Sequence, residues 1–218
     1  MAVGGGPGSA TFKAFGIQLD ANGNGSLNVT LNGQSGTIQN VGSINGNLGF
    51  TKGGAGTLTL AGVNTWTGPI LVNGGLIATA NDYSLGAAAT VNSSGGAITL
   101  NGGGLSAATS FTLSTNRSVA LIGNGSLDAA AGQTLTYAGY AAGFGALSKT
   151  GAGTLALNAA SNTSGFTLSA GSLLVGHTGA LGKGLLTLTG GTLDNATGSA
   201  LTLANNNAQA WTGDFTFA

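Results

Sequence analysis

The residues able to do chemistry are few and widely spaced. There is one histidine, His177, and five aspartates, Asp20, Asp82, Asp128, Asp194 and Asp214, with no glutamate and no cysteine. The cations are Lys13, Lys52, Lys149, Lys183 and Arg117. A single histidine excludes a multi-histidine metal centre and leaves one base for a Ser-His-Asp triad. No G-x-S-x-G elbow accompanies it. His177 ends the apolar run Leu173-Leu174-Val175 ahead of Thr178-Gly179, so it reads as an exposed loop residue. Paired carboxylates hydrolyse glycosidic bonds when held at set separations. Here the aspartates are dispersed, most of them in turn-like contexts where Asp caps or bends the chain. A lyase-type centre would need clustered Asp with Ca²⁺ and an essential base. Arg117 is the only arginine, and its nearest acid in sequence is Asp128. No G-G-x-G-x-D calcium loop occurs; Gly23-Asn24-Gly25 is the nearest fragment. The Gly-rich start, residues 4–8, lacks the lysine of a phosphate loop. No catalytic residue, metal or cofactor is therefore expected.

Two fainter signals are surface chemistry. Thr-x-Thr pairs occur at Thr57/Thr59, Thr65/Thr67, Thr134/Thr136 and Thr187/Thr189. A regular array of them would make an ice-binding face, but their intervals are irregular. Trp66, Tyr83, Tyr137, Tyr140 and Trp211 could stack on sugars. Trp66 reads instead as the cap of a corner within its own repeat. Aromatics total only 6 %, too few for the girdles of an outer-membrane barrel.

The elements that would position these groups are short strands. Apolar residues alternate with threonine in Leu58-Thr59-Leu60, Ile98-Thr99-Leu100, Leu135-Thr136-Tyr137, Leu186-Thr187-Leu188 and Leu201-Thr202-Leu203. Period two means one buried and one wet face. Gly and Asn clusters separate the runs: Asn22 to Gly25, Asn73-Gly74-Gly75, Asn101 to Gly104, Gly123-Asn124-Gly125. Such residues tolerate positive φ and mark turns. With 43 glycines in 218 residues the chain could suggest disorder, but it is 42 % apolar with zero net charge, which permits a core. Charged residues make up 5 %, against ~25 % ordinarily. Zero net charge disfavours nucleic acid, which needs clustered Lys and Arg. No apolar run reaches the ~18 residues of a spanning helix, so no membrane insertion is expected. The start, MAVGGGPGSA, has neither the basic nor the apolar region of a secretory leader. Met1 reads as an expression start on an excised piece.

The repeat selects among all-β folds. Residues 52–80 and 149–177 align without a gap. Lys52, Gly54, Ala55, Gly56, Thr57, Leu58, Leu60, Gly68, Leu71, Gly74 and Leu76 each recur 97 positions later. Units this short cannot bury an apolar face alone; stacked, they can. Glycine suits corners in coils stacked ~4.8 Å apart. The pattern predicts an all-β chain, a right-handed parallel β-helix (β-solenoid). Leu58, Leu60, Leu155 and Leu157 should point inward, Thr57 and Thr154 outward. Residues 1–10 read as a flexible N-terminal segment and 11–218 as a single solenoid, with repeat copies at 52–86 and 149–182.

Lys149 to Leu157, K-T-G-A-G-T-L-A-L, and its twin at 52–60 resemble the autotransporter-associated β-strand repeat, roughly K-T-G-x-G-T-L-x-L, then x-G-x-N-T-Y-T-G, an apolar strand and x-x-G-x-L. Copy one continues Ala61 to Gly68 with Trp66 at the usual Tyr, then Ile70-Leu71-Val72, Gly74-Gly75-Leu76 and Leu85-Gly86. Copy two lacks the aromatic across 158–165 and returns to pattern at Gly171-Ser172-Leu173 and Leu181-Gly182. The resemblance implies a passenger segment of an exported bacterial surface or secreted protein, a structural element without catalytic residues. The expected role is a rigid stalk or adhesin-type passenger that displays or spaces other modules at the cell surface. Its expected partners are neighbouring repeats of a longer chain, and a surface glycan or host-cell ligand. Residues 209–218 alternate like an ordinary strand with one charge, so end-to-end self-association is also expected. The alternatives are a lyase-like carbohydrate-active or carbohydrate-binding β-helix and, less favoured, an ice-binding solenoid.

Overall fold

The computed structural model describes residues 47–64, 66–87 and 97–218, with side chains from residue 49 onward, and the backbone of four earlier strands at Ala2–Val3, Ala10–Lys13, Asn24–Thr30 and Gly36–Gln39. The expected flexible segment at 1–10 falls largely outside the described residues.

Every described strand pairing is parallel, and the strands stack into three sheets. The first sheet runs Ala2–Val3, Asn24–Thr30, Asn47–Gly53, Ile70–Val72, Ile98–Leu100, Val119–Leu121, Ala141–Gly143 and Ser161–Asn162. The second has ten strands, from Ala10–Lys13 through Thr57–Ala61, Gly75–Thr79, Gly103–Ala107, Gly125–Ala129, Leu147–Lys149, Gly165–Leu168 and Leu185–Leu188 to Gln209–Trp211. The third begins at Phe111–Leu113 and continues through Thr134–Tyr137, Thr154–Leu157, Ser172–Val175 and Thr192–Asn195 to Thr216–Phe217. The chain visits the sheets in turn, which makes it a parallel β-solenoid, as the repeat predicted.

Alternation sets the faces. Leu58 and Leu60 are fully buried, with Thr57 and Thr59 half-exposed between them; Leu155 and Leu157 are buried beside half-exposed Thr154. Stacking then turns each inward position into a row along the axis. One row in the second sheet reads Leu58, Ile77, Leu105, Leu127. Each such apolar side chain contributes ~1.5–3 kcal/mol by leaving water, and the rows merge into one continuous core.

The third side changes along the axis. Beside Gly75–Thr79 it is filled by a single 3-10 turn, Asp82–Leu85, capped by the Asn81 side chain, which accepts from the Ser84 N–H at 2.9 Å. After Ser161–Asn162 the first sheet stops, and residues 176–184 and 196–208 run over that side.

The two repeat copies differ in placement. Lys52 is the next-to-last residue of Asn47–Gly53 in the first sheet, and the following Thr57–Ala61 lies in the second. Lys149 ends a strand of the second sheet and Thr154–Leu157 lies in the third. The second copy is thus turned by one face around the axis. The gapless alignment also needs correction. Trp66 matches Thr163, since each accepts through its backbone oxygen, from Ala87 and Lys183 respectively. From Ile70, which matches Phe166, the offset is 96: Phe50 pairs Ile70, and Leu147 pairs Phe166. The first copy carries one extra residue around Gly68-Pro69. Leu76 and Leu173, identical in the gapless frame, therefore face opposite ways: Leu76 is half-exposed, whereas Ile77 and Leu173 are fully buried.

Candidate functional site

Four of the eight charged residues with described side chains are buried: Lys52, Arg117, Asp128 and Lys149. Lys52 and Lys149 occupy inward-facing row positions at strand ends and are fully buried. Lys52 stacks directly on Val72 in the next coil, and Lys149 on Leu168. Their aliphatic stems extend the apolar rows, and their ammonium heads turn into the corner, where backbone carbonyls converge. Lys52 Nζ donates to the Gly53 and Gly54 carbonyls of its own corner, at 2.7 and 2.8 Å, and to Gly74 O of the following coil at 3.1 Å. Lys149 Nζ repeats the arrangement with Gly151 O and, in the following coil, Ala170 O at 3.3 Å. Each copy of the repeat thus builds the same coil-to-coil staple on a different face.

The copies differ in counter-charge. Lys149 pairs with the Asp128 carboxylate of the preceding coil at 2.8 Å. Asp128 also accepts from Thr150 Oγ1 at 2.8 Å and from the backbone N–H groups of Ala129, Thr150 and Gly151. Burial pushes the Asp128 carboxyl up, but the hydrogen bonds from Lys149 and Thr150, the Lys149 charge and the Ala129 N–H outweigh it and hold its pKa below the usual value. Among the described residues Lys52 has no carboxylate within ion-pair distance, and burial pulls its pKa down to about 8.

Arg117 makes the third staple. It is fully buried and reaches back one coil to the 3-10 turn. Nε donates to Asp82 Oδ1 at 2.8 Å, Nη1 to Leu85 O at 3.1 Å, and Nη2 to Asp82 O and Gly86 O. Its own carbonyl accepts from Tyr137 Oη at 2.8 Å, which links it to the following coil. Tyr137 is fully buried, and burial raises the pKa of its phenol.

These placements revise the reading of the titratable residues. Asp128, the acid nearest Arg117 in sequence, pairs with Lys149, while in space Arg117 meets Asp82, 35 residues earlier. Asp128 lies in a strand and not in a turn. His177 is exposed, and its Nδ1 accepts from Gly179 N–H at 3.0 Å. Asp194 and Asp214 lie apart near the C-terminal coils, and Asp20 is outside the described residues. Among the described residues no three His, Cys, Asp or Glu gather as a metal site. The staples are saturated by protein groups, so their chemistry is cohesion. Sequence reasoning passed over the lysines, although one signal was available: Lys opens both copies in a chain that has only four.

Trp66 is not a corner cap. It is fully buried and stacks on Phe50, across the interior of its own coil, with centroids 5.6 Å apart and planes 11° apart. Copy two replaces both members, with Leu147 for Phe50 and Thr163 for Trp66. Thr163 keeps its place by donating to Gly165 O at 3.2 Å. The Asn64 amide donates to Ser84 O, and Ser161 Oγ donates to the matching Ala180 O. On the third sheet Thr134, Thr154, Ser172, Thr192 and Thr216 stack in one outward row. The row two residues on reads Thr136, Ala156, Leu174, Asp194, so no two-row threonine array forms there.

Comparison with known proteins agrees with this architecture. Residues 50–78 and 147–175 match the family described as Passenger-associated-transport-repeat. The chain is also similar to the adhesin BmaC autotransporter of Brucella suis biovar 1 (strain 1330), 37 % identical over 86 residues, which is 38 % of this chain and 2 % of that protein. No solved structure matches. No described helix is long and apolar enough to cross a membrane.

Proposed function

We propose, from the premise that this chain is an autotransporter passenger repeat protein, that it works as a non-enzymatic, rigid segment of an adhesin-type passenger. It displays or spaces other modules at the bacterial surface or on a secreted protein. The observation that carries this is the pair of inward lysine staples, one built by each repeat copy, which bind coil to coil. Cohesion along the axis is what a spacer needs. Its partners in this reading are neighbouring solenoid coils of a longer chain, including end-to-end contacts, and a ligand on another cell. The lyase-like alternative has less support, because Arg117 is buried and fully engaged within the protein.

An epitope inserted in the parent protein at the exposed turn 197–200 tests the reading. Antibody should stain intact cells or the medium. Staining only after permeabilisation overturns it. For chemistry, a polysaccharide panel should yield no unsaturated or reducing ends; their release would restore the enzymatic alternative.

A further inference from the structure

We propose that the corner between the first and second sheets, at the middle of the chain, holds a site for a neutral saccharide. This rests on the adhesin-type reading and names the ligand class. A shallow groove of about 310 Å³ crosses four successive strands there, from Leu76 to Ser148. Its floor is the corner glycines Gly75, Gly102, Gly103 and Gly125, which carry no side chain. Ser126 Oγ fills the space over the neighbouring Gly104, 1.9 Å from where a Cβ there would lie, and so stands as one wall.

The walls offer what sugar hydroxyls need. The exposed Asn124 amide accepts from Ala146 N–H at 3.0 Å. That bond fixes the side chain and leaves its NH₂ group available to a ligand. Ser126 Oγ, on the groove wall, adds a second hydroxyl donor and acceptor. Ser148 Oγ donates to Gly125 O at 3.0 Å and so presents its lone pairs outward. The same corner carries exposed apolar side chains. Phe144 is 94 % exposed and Ile122 is 59 % exposed. They follow Gly143 and Leu121, which pair in register, so they stand on the same corner in consecutive coils. Phe144 stands two residues before Ala146, whose N–H donates to the Asn124 amide, and an exposed ring that close to amides and hydroxyls suits the apolar C–H face of a pyranose with its polar edge. No charged side chain lines the groove. The nearby Asp128 is buried and engaged by Lys149. A sialylated, sulfated or phosphorylated glycan would find no cation here, which favours an uncharged one.

Saturation-transfer NMR on the purified chain tests this with cellobiose, lactose, maltose and chitobiose, and with sialyllactose as the charged comparison. At least one neutral sugar should bind with Kd of order 1 mM. Phe144→Ala, at an exposed side chain, and Asn124→Asp, which keeps the acceptor for Ala146 N–H but removes the NH₂ donor, should each weaken it ~10-fold with an unchanged circular-dichroism melt. Tyr83→Ala, exposed on the 3-10 turn of the third side, should leave binding unchanged. Silence of all four neutral sugars at about 20 mM, equal binding by the Phe144 variant, or preference for sialyllactose overturns the assignment. So does a protein captured through Phe144 while the sugars stay silent. If surface staining succeeds while the sugars are silent, only the groove assignment falls and the passenger reading stands.

Discussion

Lys149 and Asp128 show what a single side chain contributes here. Each is buried, and each is the other's counter-charge. Removing one member of such a pair leaves an uncompensated charge and costs ~3–5 kcal/mol. Lys149→Met and Asp128→Asn should each lose about that much in urea unfolding, and the double variant clearly less than the sum; strict additivity would mean that the pair is not coupled. The pH dependence has two signs. Asp128 is held below its usual pKa, so its contribution is present above the ordinary aspartate range and is lost as pH falls through the folded value. Lys52 is lowered from 10.5 to about 8. Between those values the unfolded chain binds more protons, so stability should rise with pH across the window. Lys52→Met should flatten that rise in denaturation midpoints measured from pH 7.5 to 10.5; an unchanged slope would place the effect elsewhere. The aspartate that neutralises Lys149 was not legible as such. It lies 21 residues earlier, and only the coil length brings the two together.

At the scale of the element, alternation and Gly-Asn corners announced the strands, and the leucine and threonine faces are those the pattern predicts. Phase was harder to read. A gapless match of eleven positions hid a one-residue difference at Gly68-Pro69, because Leu-x-Leu and Gly-Gly patterns look similar when slipped by one. Hydrogen bonds resolve the phase: Gly75, with φ +62°, and Gly171, with φ +66°, play the same part, each packed on the corner carbonyls of the coil before. A Cβ on Gly75 would lie 2.1 Å from Gly56 O. Gly132 also has positive φ, +73°, but nothing lies within 4 Å of its Cβ direction. Gly132→Ala should therefore cost only the ~1–2 kcal/mol of left-handed backbone. Gly75→Ala should cost distinctly more, because backbone must move as well. Equal losses in urea would show that the corner is looser than the contacts imply.

Over the whole molecule, five of the eight charged residues with described side chains are spent on staples: Lys52, Asp82, Arg117, Asp128 and Lys149. Among the described charged residues only Lys183, Asp194 and Asp214 remain outside them. Pairs shielded from solvent respond weakly to ionic strength, so the melting temperature should move little between low salt and about 1 M NaCl. A large drop would show that exposed pairs matter. Composition revealed the scarcity of charge. Its burial was not visible, since Asp82 and Arg117 stand 35 residues apart and meet only once the third side is filled by a 3-10 turn.

The turn of one face between the two repeat copies has a geometric outcome. A repeat spaced by a whole number of coils would stamp its surface along a single meridian of the rod. Here the spacing is out of step with the coil, so each copy looks out along its own azimuth. A rod built from many copies at this spacing would present equivalent surfaces all around its circumference.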